Sequence, residues 1–185
     1  MALNTVTRTA LGIPHISAHK KDDYGSVGYG YGYAQAEDNL CVLMDDIVTI
    51  NGERARYFGT DGGYTIYAND AYARNVDSDF FWKAVASDAA IEPLKTGMLA
   101  AAVAGTRGFA AGFNRYVREL KAGKHPGRHA ACRDGAWLRQ IGFDDMLRRY
   151  FRLGILASSS VFVTHIARAA PPTGGIVPAG ASPVG

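Results

Sequence analysis

The sequence predicts a mostly helical chain with strands at its N-terminus. Apolar residues recur at helical spacing from Leu40 to Ile50, from Met98 to Leu120, and from Phe143 onward. The β-branched residues Val6, Thr7 and Thr9 cluster just ahead of Gly12 and Pro14. With 185 residues, 48% of them hydrophobic, the chain is long enough for one domain with its own core and is not disordered by composition.

Residues 5–18, TVTRTALGIPHISA, suit one or two short strands, and His19 to Asp23 reads as a polar loop. Residues 28–38, GYGYGYAQAED, raise the question of a phosphate-binding loop. A dinucleotide loop needs G-x-G-x-x-G, and Tyr33 stands where the third glycine belongs; the Gly-Lys-Ser/Thr of a Walker loop is missing too. The better reading is steric: the glycines let a neighbouring backbone approach, and Tyr29, Tyr31 and Tyr33 pack on the other face.

From Ala34, the positions Leu40, Leu43/Met44, Ile47 and Ile50 mark a helix with one buried stripe. Glu37 and Asp38 then fall in its first turn, where the helix dipole favours them. Asn51-Gly52 interrupts this helix, and Gly59 stops the segment that follows. Residues 60–78 read as a long surface loop. Asp79 is expected to cap a helix running to Ile91, with Pro93 ending it.

Met98, Ala102, Gly105, Phe109, Phe113, Tyr116 and Leu120 keep helical spacing. Gly105, Gly108 and Gly112 each cost about 1 kcal/mol of helix propensity relative to Ala, which points to a second helix packed close by. Residues 121–136 form a basic loop holding Cys132. Phe143 to Ala170 reads as one or two helices with Asp144 or Asp145 as N-cap and Met146, Leu147, Tyr150, Phe151 and Leu153 on overlapping apolar faces. Residues 171–185 are Pro, Gly, Ala and Ser with almost no charge. The expected division is therefore a domain over 1–170 and a flexible tail over 171–185.

Lys and Arg number 20 against 17 Asp and Glu, a formal charge of +3. The densest basic group, Arg148, Arg149 and Arg152, suits a solvated or interface-rim helix face rather than nucleic-acid binding. No stretch approaches the roughly 20 apolar residues of a membrane helix. The opening Met-Ala-Leu-Asn lacks the basic and apolar regions of a signal peptide, and Met1 reads as a native start or a replacement for a removed signal. Cys41 and Cys132 lack zinc-site spacing and are either two buried thiols or one disulfide.

No catalytic set assembles from these residues. His15, His19, His125, His129 and His165 are candidate bases, but neither G-x-S-x-G nor H-E-x-x-H occurs. Ser158 to Ser160 reads as a polar helix end. Asp45-Asp46 and Asp144-Asp145 are adjacent, so their side chains diverge on a helix and make poor acid–base partners. No metal or cofactor is expected.

The segments GIPHISA, GYGYGYAQAEDNL and NGERARYFG, in that order, resemble the start of the α chain of penicillin-acylase-like N-terminal nucleophile hydrolases. AAGFNRYVREL, AWLRQIGFDDMLRRYFRLG and ARAAPPTGG continue the resemblance over nearly the whole chain. NGERARYFG and CVLMDDIV are most similar to the acyl-homoserine-lactone acylase and aculeacin acylase branch.

The resemblance implies the α part of a four-layer αββα heterodimer, with residues 5–18 joining the sheet of a larger β chain cut from the same precursor. GYGYGYAQAED is then expected to approach that partner closely. The nucleophile is a Ser at the start of the β chain, and its own α-amino group is the base. None of the catalytic residues lies in this chain, and Gly185 is the acyl side of the processing cut. The implied substrates are N-acyl-homoserine lactones, hence quorum quenching, with penicillin-type β-lactams or lipopeptides as alternatives.

Leu153 matches a position that lines or gates the acyl pocket. Leu156 and Ala157 match pocket positions where the penicillin G branch carries Arg and Phe, and Tyr150 belongs to the same wall. The α-chain Glu that ligates calcium in the penicillin G branch aligns near Val163, so no calcium is expected from this site. Members of this branch work in the periplasm or outside the cell and carry matching cysteines, which implies a Cys41–Cys132 disulfide. The reading from another class is a standalone helical binding or scaffold module without catalysis.

Overall fold

The computed structural model describes residues 4–66 and 69–171, and its first helical segment is α1 (Tyr24–Ile50), kinked at Asn39. It starts at Tyr24 rather than Ala34, so all of GYGYGYAQAED is helical. Asp23 caps it, its Oδ1 accepting from the Ser26 amide at 2.9 Å. A Cβ on Gly28 would overlap the backbone of Gly105, and one on Gly32 the backbone of Phe109. Gly108 and Gly112 stand in the same relation to Gly25 and Tyr29. The close neighbour of these glycines is therefore α5 (Ala100–Lys121) of the same chain. That packing offsets the poor helix propensity of the glycines.

Glu37 and Asp38 consequently lie mid-helix rather than in a first turn. They hold Arg8, with Glu37 Oε2 at 2.5 Å and Asp38 Oδ1 at 3.0 Å. Arg8 ends β1 (Asn4–Arg8), which pairs antiparallel with β2 (Pro14–Ala18), Val6 facing Ile16. Gly12, at φ +82°, makes the turn between them. The hairpin lies on α1, where Asn4 Nδ2 donates to the Ser26 carbonyl at 2.7 Å and Gly30 leaves room for Asn4 and Ile16.

After α2 (Arg54–Phe58), parts of the expected surface loop are instead regular structure. β3 (Gly63–Thr65) pairs antiparallel with β4 (Tyr72–Arg74), and α3 (Asn75–Val85) follows at once. Three-residue strands are too short to show a period, but Ile66 and Ala73 are buried with Phe81 and Trp82 in a second core. Asp79 lies inside α3 rather than before it. Its two oxygens accept from the amides of Arg54 and Ala55, each at 2.8 Å, so it caps α2 across space.

Pro93 does not end a helix either. It lies inside α4 (Asp88–Gly97), which Ser87 caps. Proline removes only one backbone donor there, and α4 is held by fully buried Ile91 and by Lys95–Asp144 at 3.2 Å.

The main core lies between α1, α5 and α6 (Phe143–Gly154), around Leu40, Met44, Phe113, Tyr116, Leu138 and Met146. The N-cap of α6 is Gly142, neither Asp144 nor Asp145; Asp145 instead accepts from the Gly142 amide at 2.7 Å. A 3-10 turn (Ser159–Val161) and α7 (Val163–Ala167) complete the chain. No helix among the described residues is long and apolar enough to cross a membrane. Residues 172–185, with the expected tail and Gly185, lie outside the described residues.

Candidate functional site

The expected pocket positions, Tyr150, Leu153, Leu156 and Ala157, fall at the end of α6 and in the turn after it. Asp144 and Asp145 occupy the first turn of α6, matching its dipole, and Met146 and Leu147 bury its first half. Beyond Tyr150 the helix emerges from the core: Leu153 is 51% exposed and Leu156 42% exposed, and Ala157 is exposed too. Ser160 Oγ donates to the Leu156 carbonyl at 3.0 Å, and Asn69 Nδ2 to the Val161 carbonyl at 2.7 Å, fixing the turn beyond the helix.

Two grooves flank this end of α6. The wider, about 850 Å³, runs between α1, the start of α5 and α6, and is walled by Tyr24, Val27, Tyr31, Leu99 and Phe109. Tyr150 lies in it, its hydroxyl 3.1 Å from Thr106 Oγ1. The narrower, about 360 Å³, runs between α1, β3 and α6. Leu156 lies there beside Ile66, Trp82 and Ser160, facing Asp46, Arg149 and Arg152. Leu153 and Ala157 line neither groove. The four positions thus share one end of one helix, yet within this chain they do not close around a single cavity.

The two aspartates of the Asp45-Asp46 pair diverge as their spacing predicts. Asp45 pairs with Arg54 at 2.8 Å, while Asp46 turns to Arg149 at 3.2 Å and also contacts Arg152. Sequence reading passed over the Arg54 hub inside NGERARYFG. Arg54 is 6% exposed, donates to Asn75 and Thr49, and lies over the rings of Phe58 and Tyr64. An arginine between polar and aromatic residues was the only signal for it.

Asp145 joins the helix start to the same hub region. It pairs with Arg139, both oxygens engaged at 2.9 Å, and accepts from Asn51 at 2.8 Å. Burial alone would raise its carboxyl; Arg139, the Gly142 amide and Asn51 outweigh that and hold it below its ordinary range.

The histidines have structural surroundings. His125 stacks on Tyr116 with ring centres 4.4 Å apart, and His129 Nε2 lies 2.9 Å from the Tyr116 hydroxyl. Burial, with Arg128 beside it, lowers the His129 pKa. Thr5 Oγ1 lies 2.8 Å from His19 Nε2, but on the exposed hairpin and outside both grooves. Cys41 and Cys132 form a disulfide with Cα atoms 5.5 Å apart, tying α1 to the basic loop. No cluster of three or more His, Cys, Asp or Glu suited to a metal occurs among the described residues.

Residues 4–151 match the family model described as penicillin amidase. The acyl-homoserine lactone acylase PvdQ of Pseudomonas putida is 39% identical over 165 residues, covering 89% of this chain and 20% of that protein. Aculeacin-A acylase of Actinoplanes utahensis is 36% identical over 171 residues, covering 91% and 20%. The chain therefore spans about one-fifth of the length of the curated relatives it matches. Among solved structures, the thermostable penicillin G acylase from Alcaligenes faecalis matches with a TM-score of 0.66 at 22% identity, over 84% of this chain and 74% of that one.

Proposed function

The chain belongs to the penicillin amidase family, and from that membership we propose that it is the α subunit of a heterodimeric amidohydrolase that removes the acyl group from N-acyl-homoserine lactones. The observation that carries this reading is an incomplete wall. Leu153, Leu156, Ala157 and Tyr150 stand at one end of α6 with apolar surface open. Another polypeptide supplies the facing wall and the catalytic groups.

That partner is a larger β subunit from the same precursor, and the pair forms the four-layer αββα arrangement. The β subunit begins with the Ser nucleophile. Its hydroxyl adds to the amide carbonyl while its α-amino group takes the proton; the amine leaves and water hydrolyses the acyl ester. The products are a fatty acid and free homoserine lactone. This chain holds the acyl tail. Each buried methylene contributes about 0.8 kcal/mol, so the depth of the wall sets chain-length preference. β-Lactams and lipopeptides are further substrates of the same chemistry.

The Cys41–Cys132 bridge supports a periplasmic or secreted enzyme, where disulfides persist. Native and then denaturing mass spectrometry tests the assignment. The expected result is a complex that splits into this chain, 19.8 kDa, and a larger chain beginning with Ser. The complex should also release homoserine lactone from its N-acyl derivatives. An unaccompanied chain under both conditions, without that activity, would leave the standalone helical module.

A further inference from the structure

We infer that Asp46 is a positioning residue: by gripping Arg149 and Arg152 it sets where the acyl-chain wall stands, and so how strongly long acyl groups are preferred over short ones. This rests on the acylase reading above. The first half of α6 is fixed by buried Met146 and Leu147 and by the Asp145–Arg139 pair. Its last turn is held less firmly: Phe151 and Ile155 pack only partly buried against the second core, Leu153 is half exposed, and the helix ends at Gly154.

The Asp46 carboxylate supplies one. Its side chain is only 15% exposed; one oxygen accepts from Arg149 Nε at 3.2 Å and the other from Arg152 Nη1. Arg149 and Arg152 are three residues apart and lie on one helix face. Two charge-assisted bonds from one carboxylate on α1 therefore resist both rotation and sliding of this turn. Leu156 opens into the same narrow groove as Asp46 and both arginines. Asp45 cannot substitute, since Arg54 holds it from the other side. Without Asp46, the turn carrying Leu153 keeps only the partial packing of Phe151 and Ile155, and two arginines stand uncompensated beside an apolar chain.

The test uses the assembled enzyme with butanoyl- and dodecanoyl-homoserine lactone. Asp46→Asn should lower kcat/KM for the dodecanoyl substrate about tenfold, mainly through KM, and change the butanoyl value less than about threefold. Asp46→Asn combined with Arg152→Gln should lose less than the sum of the single variants. Equal loss on both substrates, or additive losses, overturns the assignment while leaving the acylase reading intact. A wild-type enzyme inactive on every acyl-homoserine lactone overturns that reading instead. Hydrogen exchange then judges the positioning role alone: Asp46→Asn should speed exchange at residues 153–161 relative to α5, and unchanged exchange there overturns it.

Discussion

Gly112 on α5 lies against the backbone of Tyr29 on α1 with no room for a side chain: a Cβ placed there would overlap the Tyr29 carbonyl oxygen and lie 2.9 Å from the Tyr33 amide nitrogen. Gly28, Gly32, Gly105 and Gly108 share the seam, and the two helices meet backbone to backbone along it. This is what GYGYGYAQAED is for within this chain. The tyrosines complete it: Tyr31 meets Phe109 edge-on at 5.3 Å, and Tyr33 meets Tyr116 at 5.4 Å.

Gly112→Ala should therefore destabilise the chain although alanine is the better helix former. Propensity favours alanine by about 1 kcal/mol, whereas overpacking a tight seam costs about 1–3 kcal/mol and displaces both helices. Gly97→Ala, with nothing within 4 Å of the added methyl, is the matched control and should be neutral or slightly stabilising. Urea midpoints of the two variants decide it. A Gly112→Ala midpoint at or above wild type would contradict the seam.

Removing the disulfide should cost far more. The bridge closes a sequence separation of 91 residues, for which the chain-entropy model gives about 4–5 kcal/mol. Cys132 is also 1% exposed, so a hydroxyl at that position must be buried. Cys41→Ser with Cys132→Ser should lower the urea midpoint markedly, and reductant should do the same to wild type. Denaturing mass spectrometry should show a gain of two hydrogens on reduction; no such gain would mean the bridge is absent.

What could be read from the sequence follows from the range of each interaction. The apolar stripes of α1, α5 and α6 repeat every three or four residues, so their helices are visible locally. The start of α1 is not, because the cost of its glycines is met by α5 some eighty residues away, beyond any local window. Asp79 is the same case: an aspartate before an apolar run looks like its own N-cap, yet it caps α2, 25 and 24 residues back in sequence. The pocket positions came from resemblance alone. No local period marks exposed Leu153 as different from buried Leu147.

Acid should loosen the fold through Asp145, Asp77 and Glu119, all with depressed pKa values. The Arg74 hydrogen bond leads for Asp77, against burial and with help from Arg168. For Glu119, burial opposes the shift, and Tyr33, Arg115 and His125 outweigh it. A carboxylate depressed on folding contributes stability above its unfolded pKa, about 4, which is lost as pH falls through the lower folded value. Urea midpoints should thus slip slightly below about pH 6.5, where the unfolded chain protonates His129 more readily than the fold does, and fall steeply below about pH 4. Asp145→Asn should lower the neutral-pH midpoint, by leaving Arg139 with Glu53 at 3.4 Å as its one charged partner among the described residues, and should make the acid limb shallower. An acid limb of unchanged steepness would remove Asp145 from the set.

Leu153→Trp tests the acyl wall most directly. The residue is 51% exposed and lines neither groove, so a larger side chain strains nothing within this chain and its folding should be unchanged. On the proposed acylase reading, the indole occupies space used by the far end of a long acyl group. Each methylene kept from its site costs about 0.8 kcal/mol, close to fourfold in kcat/KM. Activity on dodecanoyl-homoserine lactone should fall by more than tenfold, as about two or three methylenes are excluded, while butanoyl, too short to reach the indole, loses little. The ratio of the two rates is the informative quantity, since a general defect in assembly cancels from it. Equal loss across chain lengths would take Leu153 out of the pocket and move the wall to Leu156 and Tyr150, which already face the two grooves.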